Sequence, residues 1–168
     1  MLKQLVINAL KFSHAADSLS GSILPENFAR LRDFLADNTG SIDYELSGDV
    51  DKHGRLVLRV VIRGMINLYC QRCLDKMPHP LNLESELILA RNNDELAHYD
   101  EDGFVDAILA SEELDAFALI EDEIILGLPL SPRHPDMACL QTGKPHEAQN
   151  QTGKTHPFAA LKSLKRFH

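Results

Sequence analysis

The sequence predicts an α+β fold, in which an antiparallel β-sheet built around one long hairpin packs with two or three helices and precedes a flexible C-terminal tail. The hairpin is indicated by alternating apolar and polar residues in 42–50 and 56–70. Helices are indicated by apolar residues at helical spacing within 25–38 and 111–126. Residues 141–156 are polar and poor in hydrophobic side chains, which is typical of a disordered segment.

The hairpin is the element that the sequence predicts in most detail. Even-numbered positions of both segments are mostly apolar: Ile42, Tyr44, Leu46, Val50, Leu56, Leu58, Val60, Ile62, Ile66 and Leu68. A three-residue loop, 52–54, with its glycine in the left-handed conformation, pairs Asp51 with Arg55 and Asp43 with Arg63. This register places both apolar faces on the same side of the sheet.

Further elements are predicted on either side of the hairpin. In chain order they are a strand at 3–8, a helix from 25 to about 38, a strand at 81–90, an acidic loop at 91–103, a short strand at 104–109, and a helix from 111 or 115 to about 126. Pro129 and Pro132 end the last helix. We therefore expect a single α+β domain over residues 1–140 and a polar tail over 141–168.

The tail ends in a segment with an amphipathic pattern. Phe158, Leu161, Leu164 and Lys165 fall on one face if residues 157–165 are helical. A helix this short is marginal when isolated. We therefore predict that these four residues bind a partner or the body of the protein.

Charge is abundant and unevenly distributed along the chain, which carries a formal net charge of −8. Residues 91–123 contain twelve acids and one base, whereas 144–168 contain five bases and one acid, Glu147. An acidic body is poorly suited to binding nucleic acid without selectivity, because affinity for phosphates comes mainly from Lys and Arg. The balance leaves open a local basic patch or an acidic surface that binds a basic protein.

The sequence also indicates the cellular compartment of the protein. No secretory signal is recognised, and the longest apolar run, 124–130, is far shorter than the roughly 18 residues that cross a bilayer. Three cysteines, two of them in a Cys-x-x-Cys pair, fit a reducing compartment better than a disulfide framework. We expect a cytoplasmic protein that does not enter the membrane.

A candidate metal site is formed by Cys70, Cys73, His134 and Cys139. Three thiolates and one imidazole are a complete ligand set for tetrahedral structural zinc. An alternative is that Cys70 is a buried core residue, since it lies on the apolar face of its strand, and that the other thiols are incidental. A thioredoxin-like redox role has less support, because no helix begins after Cys70 in a βαβ context.

Two charged motifs in the sequence are candidates for functional sites. Arg55, Arg59 and Arg63, continued by Arg72, form a basic stripe, but the predicted register sets acids opposite it, which favours cross-strand ion pairs over an RNA surface. The trio 121–123 is acidic, but consecutive helical positions point about 100° apart, so the carboxylates do not converge and a solvated face is favoured. No catalytic triad, phosphate-binding loop or metalloprotease motif is present, so we expect no catalytic residues and no enzyme.

Three segments together resemble the YceD family. Residues 70–74, Cys-Gln-Arg-Cys-Leu, resemble its Cys-x-Arg-Cys-Leu signature; residues 121–134 followed by Cys139 resemble its second signature; and 157–165 are similar to its closing motif. One departure is His156, where the family pattern has Asn, a better helix N-cap.

The resemblance implies a function in synthesis, processing or stability of large-subunit ribosomal RNA, with no known catalytic residues. Two interpretations follow from it. In the first, the chain acts through a protein or ribonucleoprotein partner linked to the large ribosomal subunit, with weak RNA contact through the basic tail. In the second, it is a zinc-stabilised module that binds ribosomal RNA directly.

Overall fold

The computed structural model describes residues 5–103, 105–135 and 139. The chain divides into two compact units, Met1–His134 and Pro135–His168. In the second unit only Pro135 and Cys139 are described, so the elements below all belong to the first unit.

The first unit contains both strands and helices in mixed order. Its strands are β1 (Val6–Ile7), β2 (Ser18–Ile23), β3 (Ser41–Val50), β4 (Leu56–Tyr69), β5 (Lys76–Ala90), β6 (Asp106–Leu109) and β7 (Leu114–Asp115). Its α-helices are α1 (Ala9–His14), α2 (Asn93–Asp102) and α3 (Ala116–Gly127), and two 3₁₀ turns span Pro25–Asn27 and Leu31–Phe34. The predicted α+β class is confirmed.

A five-stranded sheet organises the unit, with its strands in the chain order β2-β3-β4-β5-β6. Pairing is antiparallel from β2 to β5, whereas β6 runs parallel to β5, and α2 supplies the crossover that a parallel connection needs. A separate two-stranded sheet pairs β1 with β7. Among the described residues, no helix is both long enough and apolar enough to cross a membrane.

The predicted hairpin is confirmed in position and register. β3 pairs with β4 so that Asp43 lies opposite Arg63 and Val50 opposite Leu56. Gly54 has a φ of 76°, and its amide donates a hydrogen bond to the carbonyl of Asp51. The even-numbered positions form the apolar face of the sheet, which is covered by helices and carries most of the core.

Helix α1 and strand β2 were not predicted. The helix is only six residues long, with its N-cap at Asn8, and it packs directly on Gly48 of β3. The hydroxyl of Ser13, which is buried, donates to the carbonyl of Val57. Three serines and a glycine fill most of β2, so its apolar pattern is too sparse to indicate a strand.

The α-helix predicted from 25 to 38 is wrong. Two 3₁₀ turns stand there instead, separated by residues 28–30, of which Phe28 has extended backbone at φ −94° and ψ 130°. Phe28 and Leu31 are buried, so the apolar spacing marked core residues without marking a helix. The amides of Arg30 and Leu31 donate to the carboxylate of Glu121, which replaces the carbonyl acceptors of a regular helix.

The loop predicted at 91–103 is also wrong, because α2 occupies most of it. The side chain of Asn92 caps the helix by accepting from the amide of Glu95, and acids in the first turn suit the helix dipole. Gly103 ends the helix in the left-handed conformation, at φ 62°. The helix lacks an apolar stripe, so its caps were the available signal.

The other predicted elements are present, although of the strand predicted at 3–8 the described part contains only the two residues of β1. β5 contains the predicted strand 81–90 and begins earlier, at Lys76. β6 falls within the strand predicted at 104–109, and α3 matches the last predicted helix, with Asp115 as its N-cap. α3 covers the apolar face of the sheet, where the ring of Phe117 meets Tyr44 edge-on at a centroid distance of 6.2 Å.

Candidate metal centre

The first half of the candidate metal centre is the turn that ends β4. The amide of Cys70 donates to the carbonyl of Asp75, and the carbonyl of Cys70 accepts from the amide of Leu74. Leu74 has a φ of 62°, a left-handed conformation that bulky residues seldom adopt. These constraints form a tight turn that bears Cys70 and Cys73, with two residues between them.

The second half is the segment that follows α3. Leu128 ends the helix with extended backbone, and the prolines that follow prevent its continuation. The carbonyl of Pro132 accepts a hydrogen bond of 2.8 Å from the amide of Gln71, which joins this segment to the cysteine turn. As a result, Nδ1 of His134 lies 3.5 Å from Sγ of Cys73.

The structure brings all four candidate ligands together. One donor atom from each of Cys70, Cys73, His134 and Cys139 lies within 4.8 Å of the other three. Cys70 and Cys139 are buried, and Cys73 and His134 are half-buried. These four side chains form a Cys₃His cluster whose chemistry and spacing can hold a metal ion.

The cluster's donor set and distances match those of tetrahedral zinc. Zinc–sulfur bonds of about 2.3 Å and zinc–nitrogen bonds of about 2.05 Å set a tetrahedral S···N separation of about 3.6 Å and an S···S separation of about 3.8 Å. The 3.5 Å between Cys73 and His134 agrees with the first value. The other distances between donor atoms are at most 4.8 Å, so the cluster needs at most a small contraction to bind the ion. The residues therefore fit a tetrahedral metal ion.

The arginine stripe is neutralised in part by the acids around it. Arg55 pairs with Asp51 at 2.6 Å, and Arg59 pairs with Glu86 of β5 at 2.7 Å. Desolvation opposes the charge of Asp51, but hydrogen bonds from the amide and guanidinium of Arg55 lower its pKa to about 2. Cross-strand and loop ion pairs thus engage two of the arginines.

The acidic trio at 121–123 is not the solvated face that the sequence predicted. Glu121 is buried, with 6% of its surface exposed. Its carboxylate accepts from the amides of Arg30 and Leu31 and from Nε of Arg30. Burial tends to raise the pKa of Glu121, but these hydrogen bonds outweigh burial and hold the pKa below its ordinary value. Glu121 is a structural group.

The sequence does not predict the groove that lies beside the cysteine turn. It has a volume of about 330 Å³ and is mostly apolar, with Phe34, Tyr69 and Leu130 among its lining residues. Phe34 and Tyr69 are each about half exposed. Phe34 is one of the apolar residues whose spacing predicted a helix over 25–38, and because that helix does not form, the exposure of Phe34 could not be anticipated.

The predicted partner-binding residues of the tail are Phe158, Leu161, Leu164 and Lys165. All four lie outside the described residues. Their function stays a prediction.

The fold and the cluster define a class: a small α+β protein whose β4 end and post-α3 segment contribute to a Cys₃His cluster. The chain belongs to the YceD family, because the family model described as "Large ribosomal RNA subunit accumulation protein YceD" matches residues 58–165. The resemblance noted in the sequence is thereby confirmed.

One curated relative extends the similarity to nearly the whole chain. The large ribosomal RNA subunit accumulation protein YceD of Haemophilus influenzae is 25% identical over 167 residues, which covers 96% of this chain and 95% of that protein. No solved structure matches this chain.

Proposed function

We propose that this chain supports the accumulation of large-subunit ribosomal RNA as a non-enzymatic cytoplasmic factor. The observation that carries the proposal is the family match over residues 58–165. The similarity to the Haemophilus influenzae protein adds support because it spans both chains almost end to end.

The charge distribution favours action through a protein or ribonucleoprotein partner. A net charge of −8 repels the phosphates of bare RNA, and two of the three hairpin arginines are already paired with carboxylates. The apolar groove with its half-exposed Phe34 and Tyr69 is better suited to an apolar protein segment than to a duplex. The basic residues after position 144 add only weak, salt-sensitive contact with RNA.

Cellular RNA levels test the proposed function. Depletion of the protein is expected to lower large-subunit ribosomal RNA relative to small-subunit ribosomal RNA, and expression of the wild-type chain is expected to restore the ratio. An unchanged ratio in fully depleted cells would overturn the proposal.

The nature of the partner is tested by isolating complexes from lysate with and without nuclease. Action through a protein predicts partners that remain after nuclease treatment. The alternative, a zinc-stabilised module that binds ribosomal RNA directly, predicts complexes that nuclease destroys and an RNA affinity that falls steeply with salt.

We further propose that Cys70, Cys73, His134 and Cys139 bind zinc. Four protein ligands close a tetrahedral site, which is typical of structural zinc, whereas catalytic zinc keeps an open position. Bound zinc supplies a cross-link. The chain's own hydrogen bond from Gln71 to Pro132 already positions the cysteine turn beside the segment that bears His134.

Metal analysis of the purified protein tests this site. We expect one zinc ion per chain, and we expect a chelator to lower the melting temperature. Cys73→Ser is expected to lose the metal, whereas His134→Cys, which keeps four soft ligands, is expected to retain it. Gln71→Ala is the matched control, because the hydrogen bond to Pro132 comes from the backbone amide of Gln71, which this substitution keeps. Reduced protein that takes up no zinc would overturn the assignment.

A further inference from the structure

Strand β2 (Ser18–Ile23) forms one edge of the five-stranded sheet. All six of its residues pair with β3, from Ser18 opposite Ser47 to Ile23 opposite Ile42. On its other side, no residue in the described part of the chain pairs with it. Half of its backbone donors and acceptors therefore face outward.

β2 lacks the features by which proteins usually protect an edge strand. Such strands commonly carry lysine, proline or a bulge, which discourages pairing with another chain. β2 reads Ser-Leu-Ser-Gly-Ser-Ile, with no charge and no proline, and its pairing with β3 advances one residue at a time without a bulge. In the part of the chain that the structure describes, this edge is regular and open to a further strand.

The side chains beside this edge determine what kind of strand fits. Ser18, Ser20 and Ser22 project on the same face as Asp43 and Glu45 of β3, as the register shows. We call this the polar face; it consists of the odd-numbered positions of β3 and β4 and their neighbours across the sheet. A shallow depression of about 350 Å³ lies there, lined by residues of β2, β3 and β4.

The polar face is acidic overall. Its charged residues on β3, β4 and β5 are five acids, two arginines and one lysine, a net charge of −2: Asp43, Glu45, Asp49, Glu84, Glu86, Arg59, Arg63 and Lys76. Arg59 is paired with Glu86. Asp43 and Glu45, the acids closest to the β2 edge, are exposed.

We propose that the β2 edge binds an extended basic segment of a protein partner, which adds to the sheet as a sixth strand. The inference rests on the partner in the proposed function and names its chemistry. Main-chain hydrogen bonds supply affinity in this mode of recognition, and alternate side chains supply selectivity. Every second side chain of the added strand lies on the polar face.

The geometry of the sheet explains why that segment is basic. Adjacent strands are about 4.8 Å apart, so Asp43 and Glu45 stand two strand spacings, about 10 Å, from the added strand. The serines of β2 are too short to block that path. Long lysine and arginine side chains can cross them and reach the carboxylates, whereas RNA phosphates are repelled by the same acids.

Binding of synthetic peptides tests the proposal. The probe is a fluorescent peptide of alternating lysine and valine, compared with one of alternating glutamate and valine and with an RNA oligonucleotide. We expect the lysine peptide alone to bind the full chain and to slow hydrogen exchange at the outward amides of Ser18–Ile23. A lysine peptide methylated at alternate backbone amides, which cannot pair as a strand, is expected not to bind.

Charge-reversed variants distinguish the effect of the polar face on peptide binding from the effect of the net charge of the chain. Asp43→Lys combined with Glu45→Lys is expected to lower the affinity for the lysine peptide by at least about tenfold. Glu112→Lys combined with Glu113→Lys changes the net charge by the same amount, at an exposed turn outside the sheet. This pair is expected to lower the affinity for the lysine peptide by less than about twofold. Unchanged melting temperatures establish that both variants fold.

Three results would overturn the proposal: no peptide binding, equal weakening by both pairs of substitutions, or equal binding of the methylated peptide. Preferential binding of the RNA oligonucleotide at β2 would overturn it as well. None of these results alters the ratio of ribosomal RNAs in depleted cells. Failure of the edge site is therefore distinguishable from failure of the proposed function.

Discussion

Glu121 shows how one buried carboxylate replaces a missing helix. It accepts hydrogen bonds of 2.6 Å from the amide of Arg30 and 3.0 Å from that of Leu31, and it forms an ion pair with the guanidinium of Arg30. Backbone amides that would be costly to bury without acceptors are thereby satisfied. The carboxylate joins α3 to the 3₁₀ turn that begins at Leu31.

Glu121→Gln is expected to lower the free energy of unfolding by about 1–3 kcal/mol at neutral pH, because a neutral amide is a weaker acceptor for these amides. Urea denaturation measures the loss. Asp122→Asn is the matched control. Its carboxylate also pairs with Arg30 but is half exposed, so its loss is expected to stay under about 1 kcal/mol. Equal losses in both variants would contradict this account of Glu121.

The pH dependence of this effect has a definite sign. The pKa of Glu121 is lower in the folded chain than in the unfolded chain, so its contribution is fully present above the unfolded pKa and is lost as pH falls through the folded pKa. The stability difference between wild type and Glu121→Gln is therefore expected to shrink in acid.

At the scale of elements, α1 depends on the absence of a side chain at Gly48. A Cβ atom at this position would overlap the backbone of Phe12 and Ser13. The close contact lets the hydroxyl of Ser13 reach the carbonyl of Val57. The glycine therefore sets how closely α1 approaches the sheet.

Gly48→Ala is expected to displace α1 and to cost about 1–3 kcal/mol of stability, because the overlap involves backbone atoms that cannot rotate away. Hydrogen exchange should become faster at the amides of α1 than in the sheet. Gly54→Ala is the matched control. It meets no neighbour but is strained by its left-handed φ, so it should weaken the hairpin without selective loss of protection in α1. Retained protection of α1 in Gly48→Ala would contradict the packing argument.

The elements differ in how far the sequence could predict them. The hairpin was predictable to the residue, because its alternation, its loop glycine and its core face agree. The helix over 25–38 was predicted wrongly because its apolar spacing reports burial, whereas the hydrogen-bond acceptor that replaces the helix, Glu121, lies about ninety residues later. Helix α2 was not predicted because its residues are mostly polar and do not form an apolar stripe at helical spacing.

The candidate metal centre was predictable as a ligand set but not as a geometry. Cys-x-x-Cys at a strand end indicates two ligands on one turn. The sequence does not reveal that the amide of Gln71 and the carbonyl of Pro132 meet, and this long-range hydrogen bond brings His134 to Cys73. Contacts between distant segments depend on the packed fold as a whole.

At the scale of the whole molecule, charge is separated along the chain. Residues 144–168 carry a net charge of +4, from five bases and one acid, whereas the chain as a whole carries −8. The rest of the chain is therefore more acidic than the total suggests. This separation favours a body that binds proteins and a tail that contacts phosphates weakly.

Deletion of 144–168 is expected to leave the stability of the first unit unchanged and to impair large-subunit ribosomal RNA accumulation in cells. Thermal denaturation and the ratio of ribosomal RNAs measure the two effects. In binding assays with single-stranded RNA, losing five bases is expected to reduce the slope of log affinity against log salt by at most about 3.5. Tight binding to bare ribosomal RNA at physiological salt, undiminished by the deletion, would contradict this division of functions.

The pairing of β1 with β7 has a consequence for the order in which the chain folds. Strands β2 to β5 each pair with the next strand along the chain, so they can assemble progressively during synthesis. Val6 pairs with Asp115, so β1 cannot pair with β7 until more than a hundred further residues have been synthesised. Until then, the amide of Ala116 is also missing as a donor for the carbonyl of Leu5. Although β1 is made before every other strand in the described part of the chain, it is thus among the last to acquire its native hydrogen bonds.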